Sequence, residues 1–328
     1  MQATPDPRLR QTPTISPVNV FPSVAVIDIG SNSIKILVAQ RTSEGTLTAR
    51  LTKTLDARIS AGISQSQPRL TEEGMARGLV AVKELLVDAA AFVPVKTILV
   101  ATSAVRDAAN GAEFRQRIFD TTGYGVRTLG GEEEANLIGR GLTCDPALTE
   151  LRDFDVFDLG GGSLECLTFR ERTIKQALSL QLGCVRLTER CMADPKQACT
   201  DEALIRVREL VREHLTKSGF AFDPAAHFIS VGTGGTLTTA RAILAARDGK
   251  QLEETSTVIT VAQLRELLDL LGSVDLETRR RIPGVPAGRA DVMPTALATF
   301  IALAEFGGIS AFTNSLYNLR WGVADEAI

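Results

Sequence analysis

The chain has only two histidines, His214 and His227, and its five cysteines (Cys144, Cys166, Cys184, Cys191 and Cys199) form no C-x-x-C pair. The ligand spacing of a zinc site is therefore missing. An odd cysteine count suits reduced thiols, so a cytoplasmic protein is expected. No apolar run approaches membrane-spanning length, and Met1–Val20 lacks the basic-then-apolar layout of a secretory signal. That segment carries Pro5, Pro7, Pro13 and Pro17 and reads as a disordered lead over residues 1–21. Excess charge is lacking too. A net charge of −3 argues against a general nucleic-acid binder, and leaves room for a local basic groove facing a polyanion.

What is present is an internal repeat. Residues 28–38 read Asp-Ile-Gly-Ser-Asn-Ser-Ile-Lys-Ile-Leu-Val, and residues 158–168 read Asp-Leu-Gly-Gly-Gly-Ser-Leu-Glu-Cys-Leu-Thr. At a constant offset of 130 residues (158 − 28), Asp, Gly, Ser and the late Leu coincide. Each copy follows an apolar run, Val24–Ile27 or Phe154–Phe157, and precedes another. This is strand, tight glycine-rich turn, strand, with an aspartate at the mouth. Glycine lets backbone N–H groups approach an anion closely, and the aspartate can hold a metal ion or a water. One such loop per half suggests a duplicated domain clamping a phosphate compound. The chain is long enough for it, with 328 residues of which 44% are hydrophobic.

Strands and helices alternate along the rest of the chain, which implies α/β layers. Thr71, Thr200 and Thr260 each precede a helical apolar spacing and read as N-caps. Phe228–Val231 reads as a strand running into a third glycine-rich turn, Gly232-Thr-Gly-Gly-Thr236. Residues 290–307 read as a helix with Pro294 near its first turn. The domain boundary falls in Cys144–Asp153. The basic run Arg279-Arg280-Arg281 reads as a solvated loop.

Three acids stand together in Gly131-Glu132-Glu133-Glu134-Ala135. Acids in a first helical turn complement the helix dipole. Three are more than a cap requires, so one is read as functional. Hydrolysis of a phosphoanhydride needs an attacking water, a base to orient it and cations to neutralise the transferring phosphoryl group.

Taken together, these motifs resemble the exopolyphosphatase/guanosine pentaphosphate phosphohydrolase family, within the actin, Hsp70 and sugar-kinase superfamily. The match is carried by Asp28-Ile-Gly-Ser-Asn-Ser33, Ala101-Thr-Ser-Ala-Val-Arg-Asp107 with Asn110, Gly131–Ala135, Asp158-Leu-Gly-Gly-Gly-Ser-Leu-Glu165, Leu182-Gly-Cys-Val-Arg-Leu-Thr188, Gly232–Thr236 and Arg289-Ala-Asp-Val-Met-Pro294. The resemblance implies an α/β fold of two actin-like (ribonuclease H-like) domains, 22–147 and 148–328, with the active site in the interdomain cleft. It lets the C-terminal helix pack back on the first domain. It implies Glu134 as the base for the attacking water, with Arg106 and Glu165 as further catalytic residues. Ser31, Asn32 and Ser33, the loop Gly160, Gly161, Gly162 and Ser163, and the turn Gly232, Thr233, Gly234 and Gly235 would bind phosphate. Asp158, Glu165 and Asp28 would hold Mg2+ or Mn2+. Arg186 and Arg289 are weaker phosphate candidates, equally readable as solvated or structural.

The implied activity is release of terminal orthophosphate from inorganic polyphosphate. Conversion of guanosine pentaphosphate to the tetraphosphate is the alternative, and a weakly catalytic nucleotide or polyphosphate sensor is a third reading. The expected partners are those two phosphate compounds, with a homodimer as an admissible assembly and neither nucleic acid nor membrane. Two departures stand out. Asn318-Leu319-Arg320-Trp321-Gly322 differs from the family's Gly-Leu-Arg, acidic, Gly closing segment. The helical domains of longer members, which resemble HD phosphohydrolases, have no counterpart before Ile328, so the chain resembles the short two-domain form.

Overall fold

A computed structural model describes residues 21–222 and 229–328. The proline-rich lead before Phe21, His227, and the expected start of a strand at Phe228 lie outside the described residues.

The first half runs β1 (Ser23–Ile29), β2 (Ile34–Arg41), β3 (Leu47–Leu55), α1 (Glu72–Ala90), β4 (Lys96–Ala101), α2 (Ser103–Arg106), α3 (Gly111–Thr122), β5 (Val126–Thr128) and α4 (Gly131–Thr143). The second runs β6 (Phe154–Leu159), β7 (Leu164–Arg170), β8 (Thr173–Leu180), α5 (Cys184–Cys191), α6 (Asp201–Ser218), β9 (Ile229–Thr233), α7 (Gly235–Arg247), β10 (Val258–Thr260), α8 (Val261–Gly272), α9 (Leu276–Arg281), α10 (Met293–Gly307), β11 (Ala311–Asn314) and α11 (Leu319–Ala327). Thr71, Thr200 and Thr260 accept from the backbone N–H groups of Gly74, Ala203 and Gln263, so all three helices start where their caps dictate. Pro294 sits in the first turn of α10, where its missing N–H costs nothing.

Two sheets share a five-strand topology, and the second adds β10 antiparallel at its edge. One has the order β3-β2-β1-β4-β5 and the other β10-β11-β9-β6-β7-β8. In each, an antiparallel hairpin (β1–β2 or β6–β7) carries the next antiparallel strand, and its first strand pairs in parallel with β4 or β9. Even the irregularities repeat. The register of β2 on β3 shifts between Val38 and Ala39, and that of β7 on β8 shifts between Thr168 and Phe169. Those are equivalent positions of the sequence repeat, so the duplication extends to a bulge. The hairpin strands are apolar and buried along almost their whole length, as strands covered on both faces must be.

Two helices are exchanged between the halves. The α4 helix ends the first half but packs on β7 and β8 of the second sheet, whereas α11 ends the chain and packs on β1 and β2 of the first. They also pack on each other, at a contact so close that a side chain at Gly141 or Gly322 would meet the backbone of Asn318 or Leu137. One apolar cluster therefore joins Val24, Val26 and Leu37 to Ile138, Leu319 and Val323 and on to Val156, Leu167 and Phe169. Arg41 and Arg140 both donate to Asp325 and pin the end of α11.

The arginine run corrects an expectation. Arg280 and Arg281 are exposed as expected, but the run is the last turn of α9 and not a loop, and Arg279 is only 1% exposed. Its guanidinium donates to the carbonyls of Leu271, Pro195 and Gln197. A buried arginine is tolerable because its donors close off carbonyls that no helix or strand satisfies.

Candidate active site

The two repeated turns face each other. Gly30 N–H donates to Ser33 O at 3.2 Å, and Gly160 N–H donates to Ser163 O at 3.0 Å. A Cβ on Gly161 would lie 2.7 Å from Ser31 Cβ, and one on Gly162 would lie 2.2 Å from Ser103 Oγ. Glycine is needed here because Ser31 and Ser103 of the first half sit directly against the backbone of the second loop. The second loop sits on the start of α5, where Cys184 and Val185 N–H groups donate to Gly160 O and Gly161 O.

Between the turns lies a polar cavity of about 70 Å3. Its walls include Asp28, Ser31, Asn32 and Ser33 from the first hairpin, Asp158, Gly160, Gly161, Ser163 and Glu165 from the second, and Gly234 and Gly235 from the third turn. Glu134, at the start of α4, closes one side. It is 5% exposed, and Arg106 Nη1 donates to its Oε2 at 2.8 Å. The exchange of α4 is what carries Glu134 to the second sheet's edge. Of its two acidic neighbours, Glu133 accepts from Gly130 N–H and pairs with Arg127 outside the cavity, the capping role its position suggests.

Several expected residues stand one step back. Arg106, Gly162, Gly232 and Thr233 do not line the cavity. Arg106 is not limited to a surface pair with Asp107, because it also bonds Glu134 and Leu129 O. Thr233 Oγ1 donates to Tyr317 O, and Gly232 packs under Leu237. Gly234, at φ +86°, lies so close to Asp158 that a Cβ would come within 2.4 Å of its Oδ1. The side-chain amide of Asn32 is committed: Oδ1 accepts from Arg58 Nε and Nη2, and Nδ2 donates to Gly288 O. Arg289 lines the cavity and lies against Gly235, whereas Arg186 does not line it.

Lys35 and Arg58 escaped the sequence reading. Lys35 lines the cavity and pairs in register with Asp28 across β1–β2. A lone cation inside the apolar strand Ile34-Lys-Ile-Leu was its only signal. Arg58 follows β3 with φ 38°, and its backbone N–H donates to Asn32 O. Nothing in its neighbours in sequence marks it.

The acids share a buried space that Lys35 and Arg289 also line. Burial pushes Asp158 up to about 6, Lys35 opposing and Asp28 adding to the shift. Burial and the Asp158 charge push Glu165 up to about 7, although Ser179 Oγ donates to its Oε1 at 2.7 Å. Burial and Glu165 raise Glu134 well above the ordinary carboxylate range against the pull of Arg106. Burial also raises Asp28, whose buried Oδ1 has no hydrogen-bond partner. Such a group wants a cation or a donor. Among the described residues no cluster of three or more acidic, His or Cys side chains forms a metal cage by itself. Mg2+ can be held by one or two carboxylates, with waters and substrate phosphates completing its shell. The orphaned Asp28 oxygen, with the Asp158 charge close by, therefore fits a cation shared with a bound phosphate.

Comparison with known proteins agrees with this arrangement. Residues 37–328 match the Ppx/GppA phosphatase family. The Aquifex aeolicus member of that family is 27% identical, over 94% of this chain and 97% of that one, with a TM-score of 0.74. An exopolyphosphatase from Cytophaga hutchinsonii shares the fold, with a TM-score of 0.82 over 92% of this chain and 96% of that one at 24% identity. The two duplicated α/β halves are actin-like domains with a cleft between them. With a family match spanning nearly the whole chain and the paired loops meeting across one cavity, the chain belongs to the Ppx/GppA phosphatase family.

Proposed function

We propose that this chain releases terminal orthophosphate from inorganic polyphosphate by direct attack of water. The observation that carries the reading is the buried Glu134 carboxylate, held by Arg106 in the wall of a cavity that two glycine-rich loops enclose. The Aquifex aeolicus relative is described as a Ppx/GppA enzyme.

The terminal phosphoryl group would bind between the Ser31–Ser33 and Gly160–Ser163 turns, with Lys35 and Arg289 offsetting its charge. A water between Glu134 and the phosphorus gives its proton to the Glu134 carboxylate as its oxygen forms the new P–O bond. The bond to the bridging oxygen breaks, leaving orthophosphate and a chain shorter by one phosphate. Arg106 holds Glu134 in one orientation, so the water meets a fixed acceptor. Of Asp158, Glu165 and Asp28, one or two would hold Mg2+ or Mn2+ together with the substrate phosphates, and the ion when bound supplies positive charge to the transferring phosphoryl oxygens.

The rest of the substrate has room. A cleft of about 750 Å3 adjoins the cavity and shares Lys35, Gly234, Gly235, Arg289 and Asn318 with it. One feature of the cleft favours guanosine pentaphosphate as a second substrate. Tyr317 and Trp321 line it with ring centroids 4.1 Å apart, and a planar base can stack on such a surface. A weakly catalytic sensor is the third reading, and an ionisable base beside the phosphate loops argues against it. Phosphate release from long polyphosphate, short polyphosphate and guanosine pentaphosphate, measured side by side, tests all three. Polyphosphate turnover supports the first. Release from guanosine pentaphosphate alone supports the second, and none from any supports the sensor.

A further inference from the structure

Arg186, in the first turn of α5, is 6% exposed and does not line the cavity. All three arms of its guanidinium are used. Nε donates to Gly162 O at 3.0 Å, in the second phosphate loop. Nη1 donates to Ile63 O at 2.7 Å, in the first half of the chain. Nη2 donates to Asp107 Oδ2 at 2.9 Å. Asp107 also accepts from Gln181 Nε2, and its other oxygen accepts from Arg106 Nε at 3.3 Å. Arg106 in turn donates to Glu134. Charges alternate along this line from Arg186 through Asp107 and Arg106 to Glu134, and every link is partly or fully buried.

We propose that Arg186 is a positioning residue, orienting Glu134 through Asp107 and Arg106 and tying the base to the Gly160–Ser163 loop; this rests on reading Glu134 as the base. The loop fixes where the phosphorus sits and Glu134 fixes where the water sits. Their separation sets the attack geometry, yet they stand on opposite halves of the chain. A planar guanidinium that bonds the loop carbonyl with one arm and the base's own ion-pair line with another holds that separation constant. Without Arg186, Asp107 loses one of its cationic partners and Arg106 can swing toward it, away from Glu134. Arg186 itself lines no part of the cavity, so the loss falls chiefly on the chemical step.

The test is a kinetic cycle on the full chain with long polyphosphate. Arg186→Met keeps the apolar stem and removes the guanidinium. It should lower kcat by about tenfold or more while KM changes by less than about threefold, the cost of a misplaced base. Arg186→Lys should restore little, because a single ammonium cannot reach all three acceptors. In a Glu134→Gln background, Arg186→Met should cost nothing further, since both act through one group. Should Arg186→Met fail to fold, Asp107→Asn, nearly isosteric and partly exposed, serves the same comparison. Kinetic losses that multiply in the double variant overturn the proposal. So does a variant that melts earlier but keeps the wild-type kcat. A wild-type kcat in Glu134→Gln alone instead overturns the base assignment, and the proposal with it.

Discussion

Lys35 and Glu165 occupy the same place in two copies of one hairpin, and they carry opposite charges. Lys35 pairs in register with Asp28, and Glu165 pairs with Asp158. Both side chains line the same cavity. The duplication has thus been turned into a polarity, with a cation on one side of the phosphate space and an extra carboxylate on the other. The carboxylate side suits a divalent ion, and the lysine side suits phosphate oxygens.

Glu134→Gln should keep the fold and substrate binding and lower kcat by about 10²-fold or more, the usual loss of a general base. Steady-state kinetics together with a melting curve check this. Near-wild-type turnover in a folded variant would remove Glu134 from the role.

Activity should require a divalent cation, and Asp158→Asn should weaken both activity and the response to added Mg2+. Titration of Mg2+ into chelator-treated enzyme reads it directly. Undiminished phosphate release in excess chelator would defeat the idea.

The buried acids set a pH dependence with a definite sign. Glu165, pushed up to about 7, and Asp158, pushed up to about 6, bind protons more tightly folded than unfolded. Their contribution to stability is complete below the unfolded pKa near 4 and is lost as pH rises through the folded values. Metal-free protein should therefore melt at progressively lower temperature as pH rises from about 4 to about 7, and Mg2+ should oppose the fall at the upper end. Calorimetry across that range checks it, and a metal-free melting temperature that rises instead contradicts the charge arrangement.

Gly162→Ala should cost at least about tenfold in kcat, because its Cβ would press on Ser103 and part the two loops. Gly125→Ala is the control, since a Cβ there meets nothing within 4 Å. Equal activity in the two variants would mean that loop contact does not matter.

Tyr317→Ala tests the cleft. If a base stacks beside Trp321, the variant should lose kcat/KM for guanosine pentaphosphate by about tenfold and keep its activity on long polyphosphate, in line with the usual worth of one stacked base. Parallel losses on both substrates would assign the pair to packing alone.

The repeat at Asp28 and Asp158 was legible in the sequence because a phosphate turn is local. Its glycines, its aspartate and its flanking apolar strands lie within about ten residues. Threonine caps and helical spacing fixed α1, α6 and α8 for the same reason. Edge strands β8 and β10, the short strand β11 and short helices α5 and α9 carried no comparable signal, since each is held by neighbours distant in the chain. Nor could spacing reveal that α4 and α11 change sides, that Arg186 faces a loop carbonyl and Asp107 instead of phosphate, or that Arg58 Nη2 reaches Asp291 Oδ1 at 2.7 Å across the two halves. The sequence by itself determined which turns could hold an anion and which acids were available. Only the tertiary structure decided which acid reaches the cavity, because burial and long-range ion pairs are properties of the packed halves and not of any one segment.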